Sequence, residues 1–392
     1  MKGLIIKFFF VGALFCLLFN PAFTFLGGKH SSVFLLPLIL FLLNPKIRKD
    51  LWLCRNMLIA WTLLFLFVLF RTLLNGEIVF LVSTFMMLIE TFLVSYVLVI
   101  LAKKAKVDFL EMLLIVASIG GCISCLCLFS PSFNDFSKSI QVITNDFLET
   151  HTFRGFGIGE GLTFAYAIVL GTICAVGICF IKSYKWFVLF IPIISGATLI
   201  NARTGFIPIA LAITFFLLFE RKVKYYGYAF CIAGVLVFLW VSFIEDSVPT
   251  GTLMWVLDFF DQAREGTTGS TIATLFSITA WPDNFSEWII GKGYSVFEPK
   301  VGKRTDIGYL IQLCYGGIIY CILLYYMVWS LVKKAYSIMP KALFFTLIIS
   351  MLFENFKGPF ITRSPGFASA VSIMIYFILL KSVGSYKHTL KS

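Results

Sequence analysis

The stretch "ISGATLINARTGFIPIALAITFF", residues 194–216, contains a single arginine, Arg203, between two apolar runs. The stretch is otherwise almost wholly apolar, which favours helices that lie in a lipid bilayer. An arginine near the bilayer core costs roughly 2.5 to 3.5 kcal/mol on insertion scales unless it reaches water, an interface or a partner. The position of Arg203 therefore predicts that a partner or a ligand offsets this cost.

The composition of the whole chain extends this interpretation. Of 392 residues, 59% are hydrophobic and 13% are charged, which is too apolar for a soluble globule. A spanning helix needs roughly 20 apolar residues, and runs of about that length recur from end to end. We predict an all-α polytopic integral membrane protein of about 12 transmembrane helices, with residues 1–392 forming a single transmembrane domain. The first apolar run follows lysines as in a secretory signal, but we interpret it as an uncleaved first helix.

The predicted spans leave two long loops on the outer side, at 131–159 and 245–306. Loops of this length are usually functional or disordered. The second contains tryptophans and apolar runs, so we expect short helices that lie on the membrane. The predicted spans cover residues 4–26, 31–44, 51–70, 78–101, 109–130, 160–181, 186–200, 205–219, 226–244, 307–332, 342–356 and 366–380.

Lysine clusters fix the predicted orientation. Clusters such as "NPKIRKD" (44–50) and "AKKAK" (102–106) stand at alternate junctions between spans. The positive-inside rule makes these junctions cytoplasmic and, with an even number of spans, places both termini in the cytoplasm. The net charge of +12 is thus a signal of topology and does not imply a nucleic-acid partner.

The type of basic residue differs between the two predicted sides. The cytoplasmic side carries 17 Lys and 2 Arg, whereas the outer side carries 6 Lys and 6 Arg. Lysine suffices for topology, but a planar guanidinium adds bidentate recognition of phosphate or carboxylate. This favours an anionic ligand on the outer side, although pairing with outer acids or lipid phosphates stays open for each arginine. The six outer arginines are Arg71, Arg154, Arg203, Arg264, Arg304 and Arg363.

Two outer segments combine arginine with a carboxylate. In "RGFGIGEGLTFAY" (154–166), Arg154 precedes glycines that allow backbone to approach a ligand, and Glu160 stands where a helix begins. The alternative is a loop-to-helix joint with an acid favourably placed at the helix N-terminus. Further on, Arg304 and Asp306 stand just before a span. Asp306 is either an N-cap or a general base beside an arginine.

A third outer segment, "ENFKGPFITRSPGF" (354–367), places Glu354, Lys357 and Arg363 at the outer surface around two prolines. The alternative here is an ordinary turn with an interface anchor. No group of His, Asp and Glu has metal-ligand spacing, so we predict no bound metal. We expect no cofactor of another kind. The cysteine cluster "CISCLC" (122–127) is interpreted as packing within a span, and no disulfides are predicted.

Four of these features together resemble the bacterial O-antigen polymerase (Wzy) family, which is related to the O-antigen ligases. They are Arg154 among glycines before a middle span, "NARTG" (201–205), the large outer loop, and "GKGYSVF" (291–297) leading to "TDIGYLIQLCYGGIIY" (305–320). The ligases usually carry a histidine at the end of the large loop, where this chain reads "RTDIGYL" (304–310). That difference favours the polymerase and leaves the identity of the base open.

The resemblance implies a metal-independent glycosyltransferase of the GT-C type at the periplasmic face of the bacterial inner membrane. Donor and acceptor would both be oligosaccharides on undecaprenyl diphosphate, and the growing glycan would be transferred to the non-reducing end of a new repeat unit. Family arginines engage the diphosphate, and the matching positions are Arg154, Arg203 and Arg304. Lys357 and Arg363 are further candidates for substrate binding, and Asp306 or Glu160 would activate the acceptor hydroxyl. Membrane lipid and a protein that regulates chain length are the implied partners.

Two alternatives remain at this stage. One is an O-antigen ligase, which moves finished polymer to another acceptor. The other is a flippase for the repeat unit, also with about twelve spans, but transporters usually show matching halves and ionisable residues at mid-membrane. Only Arg55 and Glu90 qualify as ionisable residues of this kind here, and no internal repeat is visible. The sequence does not specify the sugars, the linkage or the chain length.

Overall fold

The computed structural model describes residues 2–26, 51–142, 157–159, 164–220, 279–296, 305–361 and 364–381. This part of the chain is nearly all helical and contains no β-strand. Four of its helical segments are long and apolar enough to cross a membrane, which confirms the prediction of a helical membrane protein at that level. They are Trp52–Asn75, Val79–Lys104, Phe109–Phe129 and Gly308–Tyr336.

The full count of about twelve spans stays a prediction, and the predicted spans 31–44 and 226–244 lie outside the described residues. Shorter apolar helices account for most of the remaining described spans. In chain order the helices are α1 (Lys2–Phe19), α2 (Arg55–Asn75), α3 (Val79–Met86), α4 (Ser95–Lys104), α5 (Phe109–Phe129), α6 (Pro131–Ser139), α7 (Phe164–Cys179), α8 (Ile191–Asn201), α9 (Phe206–Glu220), α10 (Phe285–Ile290), α11 (Gly308–Tyr336), α12 (Lys341–Lys357) and α13 (Pro365–Lys381).

Helix α7 lies at the centre of the bundle. Its residues from Tyr166 to Ile178 are all buried, as expected for a helix that is apolar on every side. It packs against α5, α8, α9, α12 and α13. Two glycines allow this close packing, because a Cβ at Gly177 would overlap the ring of Phe187 and one at Gly171 would overlap the backbone of Gly205.

Two elements differ from the sequence prediction. The first span was predicted to reach residue 26, but α1 ends at Phe19. Asn20 takes a positive φ of 42° just before Pro21, whose ring disfavours helical geometry in the preceding residue. The second difference is a π-helical segment, Met87–Val94, which joins α3 to α4 and contains the buried Glu90. Such π-bulges have no pattern of hydrophobic spacing that would predict them.

The described helices run between two opposite ends of the bundle. At one end, Lys7 pairs with Glu111 at 3.4 Å and the Tyr184 hydroxyl donates to Asp108 at 2.6 Å. Lys334 donates to the carbonyl of Leu53 at this end too. We call it the lysine end, because it also carries the cluster at 102–106. The opposite end carries Arg71, Arg203, Asp306 and Lys357, and we call it the arginine end.

Candidate functional site

The turn "NARTG" (201–205) joins α8 to α9 at the arginine end. Helix α8 stops at Asn201, Ala202 is extended, and Arg203–Gly205 form a single 3₁₀ turn before α9 begins. Gly205 holds this turn against α7, because a Cβ added there would meet the backbone of Ala167. The turn is therefore fixed on the central helix, and Arg203 is half-buried within it.

Two polar groups next to Arg203 retain hydrogen-bonding capacity. The Asn201 side chain is fully buried, and its Nδ2 donates to Ser124 Oγ at 2.7 Å and to the Ala197 carbonyl at 2.9 Å. Within the described residues, Asn201 Oδ1 and Thr204 Oγ1 are buried and accept no hydrogen bond. Buried acceptors without partners are uncommon in folded proteins, so these two atoms suit a hydroxyl or amide donor from a ligand.

Lys357 ends α12 beside the first turn of α7. Its Nζ lies 5.6 Å from the ring centroid of Phe164, the first residue of α7. Ala167, which contacts Gly205, follows three residues later, so the two contacts are separated by about 4.5 Å along the axis of α7. The structure therefore brings Lys357 and the turn that carries Arg203 to the same level of the bundle.

Asp306 lies just before α11 at this same end. Gly308, at the start of α11, packs against the carbonyls of Asn355 and Gly358, because a Cβ there would overlap both. Asp306 is half-buried. It does not cap α11, since the N-cap is Ile307 and makes no side-chain capping bond. The N-cap alternative for Asp306 is therefore wrong.

A buried amide network locks α11 to the end of α12. Gln312 Nε2 donates to Asn355 Oδ1 at 3.1 Å, and Asn355 Nδ2 donates to Gln312 Oε1 at 3.2 Å and to the Tyr325 hydroxyl at 3.0 Å. The Tyr325 hydroxyl donates to Gln312 Oε1, and the Ile361 amide donates to Asn355 Oδ1 at 3.1 Å. Fully paired networks of this kind hold backbone rigidly, which fixes the position of the last turn of α12.

The glycine-rich segment is described only at residues 157–159. There the Gly159 amide donates to Gln141 Oε1 at 2.8 Å, and Ser137 Oγ donates to the Gly157 carbonyl. Both glycines pack closely on the Tyr166 ring of α7. The centre of this predicted motif thus contacts the same helix as the Arg203 turn. Four predicted site residues lie outside the described residues: Arg154, Glu160, Arg304 and Arg363.

Arg71 is buried and donates a hydrogen bond to the protein backbone. It is 5% exposed, and its Nη2 donates to the Gly291 carbonyl at 2.8 Å. Nearby, Asn75 Nδ2 donates to the Lys292 carbonyl at 3.0 Å and the Ser295 amide donates to Glu77 Oε2 at 2.8 Å. Sequence reasoning left two alternatives for Arg71, an anionic ligand or pairing with an acid or lipid phosphate, whereas the observed acceptor is a backbone carbonyl.

These contacts hold "GKG" (291–293) over a kink in α11. Gly317 has a φ of 64° inside α11, so the helix is interrupted and its carbonyls become available. The Lys292 amide donates to the Cys314 carbonyl at 2.6 Å, and the Gly293 amide donates to the Tyr315 carbonyl at 2.8 Å. The described part of the "GKGYSVF" motif, residues 291–296, is thus a strap that fastens the segment 279–296 to α2 and α11.

Lys292 strengthens the strap through its side chain. Its Nζ contacts Asp283 at 2.6 Å and Glu287 at 3.4 Å, and the Lys292 side chain is only 6% exposed. Burial lowers the pKa of Lys292, but the hydrogen bond to Asp283 and the charges of Glu287 and Asp283 outweigh burial and raise the pKa above its ordinary value. The ammonium therefore stays charged and is committed to protein carboxylates.

Sequence reasoning missed the burial of Glu354, which it placed at the outer surface. The side chain is 1% exposed and lies in the last turn of α12. Its signal in the sequence is weak: the helical spacing from Leu343, Leu347 and Ser350 continues the buried face of α12 to this residue.

Comparisons of the chain with protein-family models, with curated proteins and with solved structures find no match. The functional interpretation therefore depends on the residues and their arrangement.

Proposed function

We propose that this protein is an O-antigen polymerase, a GT-C-type glycosyltransferase of the bacterial inner membrane. It transfers the growing glycan from undecaprenyl diphosphate to the non-reducing end of a new lipid-linked repeat unit, at the periplasmic face. A protein that regulates chain length is the partner implied by the family resemblance.

The observation that carries the proposal is the cationic turn at the arginine end. Arg203 is half-buried between two apolar helices, and Lys357 lies at the same level against α7. A diphosphate on a membrane-bound lipid would bring its negative charges to this depth, whereas a soluble substrate would have no reason to approach between apolar helices. Pairing with the diphosphate would help offset the cost of placing a guanidinium there.

The chemistry requires two actions from the chain. The leaving diphosphate gains negative charge as its bond to the anomeric carbon breaks, and Arg203 with Lys357 would stabilise that charge. One well-placed donor of this kind is worth roughly 2.7 to 4 kcal/mol in the transition state. The acceptor hydroxyl must lose its proton, and the family resemblance makes Asp306 or Glu160 the candidate for this step. Asn201 Oδ1 and Thr204 Oγ1, buried without a donor among the described residues, would accept hydrogen bonds from the substrate.

The experiment that tests the proposal is deletion of the gene, followed by gel analysis of the lipopolysaccharide and analysis of the undecaprenyl-linked sugars. A polymerase deletion leaves lipid A core capped with a single repeat unit. Uncapped core with long polymer on the lipid carrier would instead indicate a ligase. Uncapped core with only single lipid-linked units would indicate a flippase, and either pattern would overturn the proposal.

A further inference from the structure

Asn201 forms a hydrogen bond between two helices, two residues before Arg203. Its side chain is fully buried, and its Nδ2 donates to Ser124 Oγ on α5 at 2.7 Å and to the Ala197 carbonyl of its own helix at 2.9 Å. Ser124 is also fully buried. The bond therefore joins the last residue of α8 to α5 in the interior of the bundle.

Two other buried hydroxyl groups in this region bond within their own helix. Ser118 Oγ donates to the Leu114 carbonyl at 2.8 Å, and Thr198 Oγ1 donates to the Ile194 carbonyl at 2.7 Å. Such bonds satisfy a buried hydroxyl without fixing one helix against another. A polar side chain that bonds across a helix interface instead fixes the register of the two helices, as a buried asparagine does in coiled coils. The bond between α5 and α8 is therefore suited to positioning.

The turn that carries Arg203 is held at both of its ends. Before it, Asn201 is fixed on α5, and after it, Gly205 is fixed on α7, since a Cβ there would meet the backbone of Ala167 at 2.5 Å. Within the turn, the Gly205 amide donates to the Ala202 carbonyl at 3.0 Å. Arg203 lies two residues from each anchor, so a shift of either anchor reaches the guanidinium through a short piece of backbone.

The position of Ser124 suits a supporting role. It is fully buried and lies five residues before Phe129, the end of α5, which is about 7.5 Å along the helix axis. Interhelical hydrogen bonds in membranes contribute little to stability on average, because the unfolded segments find other partners in the bilayer. A displacement of about 1 Å at a functional site, in contrast, can cost roughly 10²-fold in rate. Loss of this bond should therefore affect the Arg203 site more than the fold.

We propose that Ser124 is a positioning residue, which acts through Asn201 to hold the Arg203 guanidinium where it binds the lipid diphosphate. This inference rests on the proposed polymerase function, which supplies the diphosphate ligand. Ser124 accepts a hydrogen bond from Asn201, Asn201 fixes the end of α8, and the turn that follows presents Arg203. Ser124 itself contacts neither the lipid carrier nor the sugars.

The test measures the binding of undecaprenyl diphosphate, without sugars, to purified protein in lipid nanodiscs. This probe carries the diphosphate and requires no knowledge of the repeat unit. Ser124→Ala removes the acceptor, and we expect Kd to rise by about 10-fold, comparable to the loss of one charge-assisted hydrogen bond. The matched control is Ser118→Ala, because Ser118 is buried on the same helix but bonds within it. Its Kd should stay at the wild-type value.

Combination with Arg203→Lys separates positioning from a general loss of structure. Arg203→Lys alone should raise Kd by about 10-fold, since bidentate binding is lost. Adding Ser124→Ala should raise Kd little further, because no guanidinium remains to be positioned, whereas two independent effects would multiply. Binding is expressed per monodisperse protein, so that any loss of folded protein is removed from the comparison.

A second variant at Ser124 excludes the effect of a cavity. Ser124→Cys fills the space that alanine leaves, but its thiol is a weak acceptor, so we expect its Kd to rise as in Ser124→Ala. It also decides the question if the alanine variant is unstable.

Wild-type affinity in Ser124→Ala or Ser124→Cys would overturn the assignment. Multiplied effects in the double variant, or an equal loss of affinity in Ser118→Ala, would overturn it too. In all these cases wild-type protein still binds the probe, and the polymerase function stands. If wild-type protein does not bind undecaprenyl diphosphate, the diphosphate site and the polymerase function fail together with the role of Ser124.

Discussion

At the scale of single residues, Arg203 carries the sharpest prediction. Arg203→Lys keeps the positive charge but loses the planar guanidinium that binds a diphosphate through two donors. We expect polymer formation to fall by about 10²-fold or more, which corresponds to the loss of one transition-state donor. The measurement is lipopolysaccharide banding together with the level of the variant in the membrane. The matched control is Arg55→Lys, because Arg55 lies over the Trp52 ring at 5.3 Å at the lysine end and should leave the banding unchanged. Full activity of Arg203→Lys at a normal membrane level would contradict the diphosphate role.

Cys122 gives the opposite expectation. The sequence interpretation assigns the cluster at 122–127 to packing, and in the structure Cys125 Sγ lies 3.8 Å from the Ile193 carbonyl on the neighbouring α8. Cys122→Ala removes one half-buried sulfur, so we expect its effect on stability to stay below about 1 kcal/mol and polymer to form normally. Loss of polymer in this variant, with protein still present in the membrane, would reopen the question of a metal at the cluster.

The limits of sequence reasoning are clearest at this scale. Arg203 could be singled out because a lone charge between apolar runs has an energetic cost that the sequence itself reveals. Arg71 shows the same type of signal, yet its guanidinium is used on the Gly291 carbonyl, more than two hundred residues further along the chain. Glu354 was misplaced because adjacent prolines suggested a turn. The contact between Arg71 and Gly291 joins residues far apart in the chain, so the spacing of residues around Arg71 could not predict it.

At the scale of elements, the contact between α7 and the Arg203 turn should be sensitive to a single methyl group. Gly171→Ala would push a Cβ into the Gly205 carbonyl, and overpacking of this kind costs about 1 to 3 kcal/mol. We expect a lower thermal unfolding midpoint and reduced polymer. The matched control is Gly196→Ala on α8, where a Cβ meets no atom within 4 Å. That variant should be as stable as wild type or slightly more stable, because alanine favours helix. Equal midpoints for the two variants would contradict the close packing at Gly171.

Several element boundaries could be predicted because hydrophobic length decides them: the predicted span 342–356 corresponds to α12, Lys341–Lys357. The interruptions within helices could not be predicted from hydrophobic length. The π-helical segment Met87–Val94 and the Gly317 kink inside α11 depend on packing with distant elements. The kink exists together with the strap, because the carbonyls of Cys314 and Tyr315 accept from Lys292 and Gly293. Hydrophobic spacing along one helix contains no information about such a partner.

At the scale of the whole molecule, the separation into a lysine end and an arginine end follows from helices that alternate in direction. Helix α2 begins beside Lys334 and finishes where Arg71 contacts Gly291, so one element links the two ends. Within the described residues, Arg71 and Arg203 lie at one end of the bundle and Lys7 and Lys334 at the other. The proposed diphosphate site on one face and the proposed orientation signal on the other require that the bundle keep this polarity.

The orientation of that polarity can be tested with reporter fusions. If the lysine end faces the cytoplasm, alkaline phosphatase fused after Lys104, at the end of α4, stays inactive, whereas green fluorescent protein at the same site fluoresces. The same two reporters fused after Ser139, at the end of α6, should give the reverse result, because that helix follows the arginine end of α5. Phosphatase activity after Lys104 together with none after Ser139 would invert the molecule in the membrane. The Arg203 turn would then face the cytoplasm, and the proposed periplasmic chemistry would have no access to its substrate.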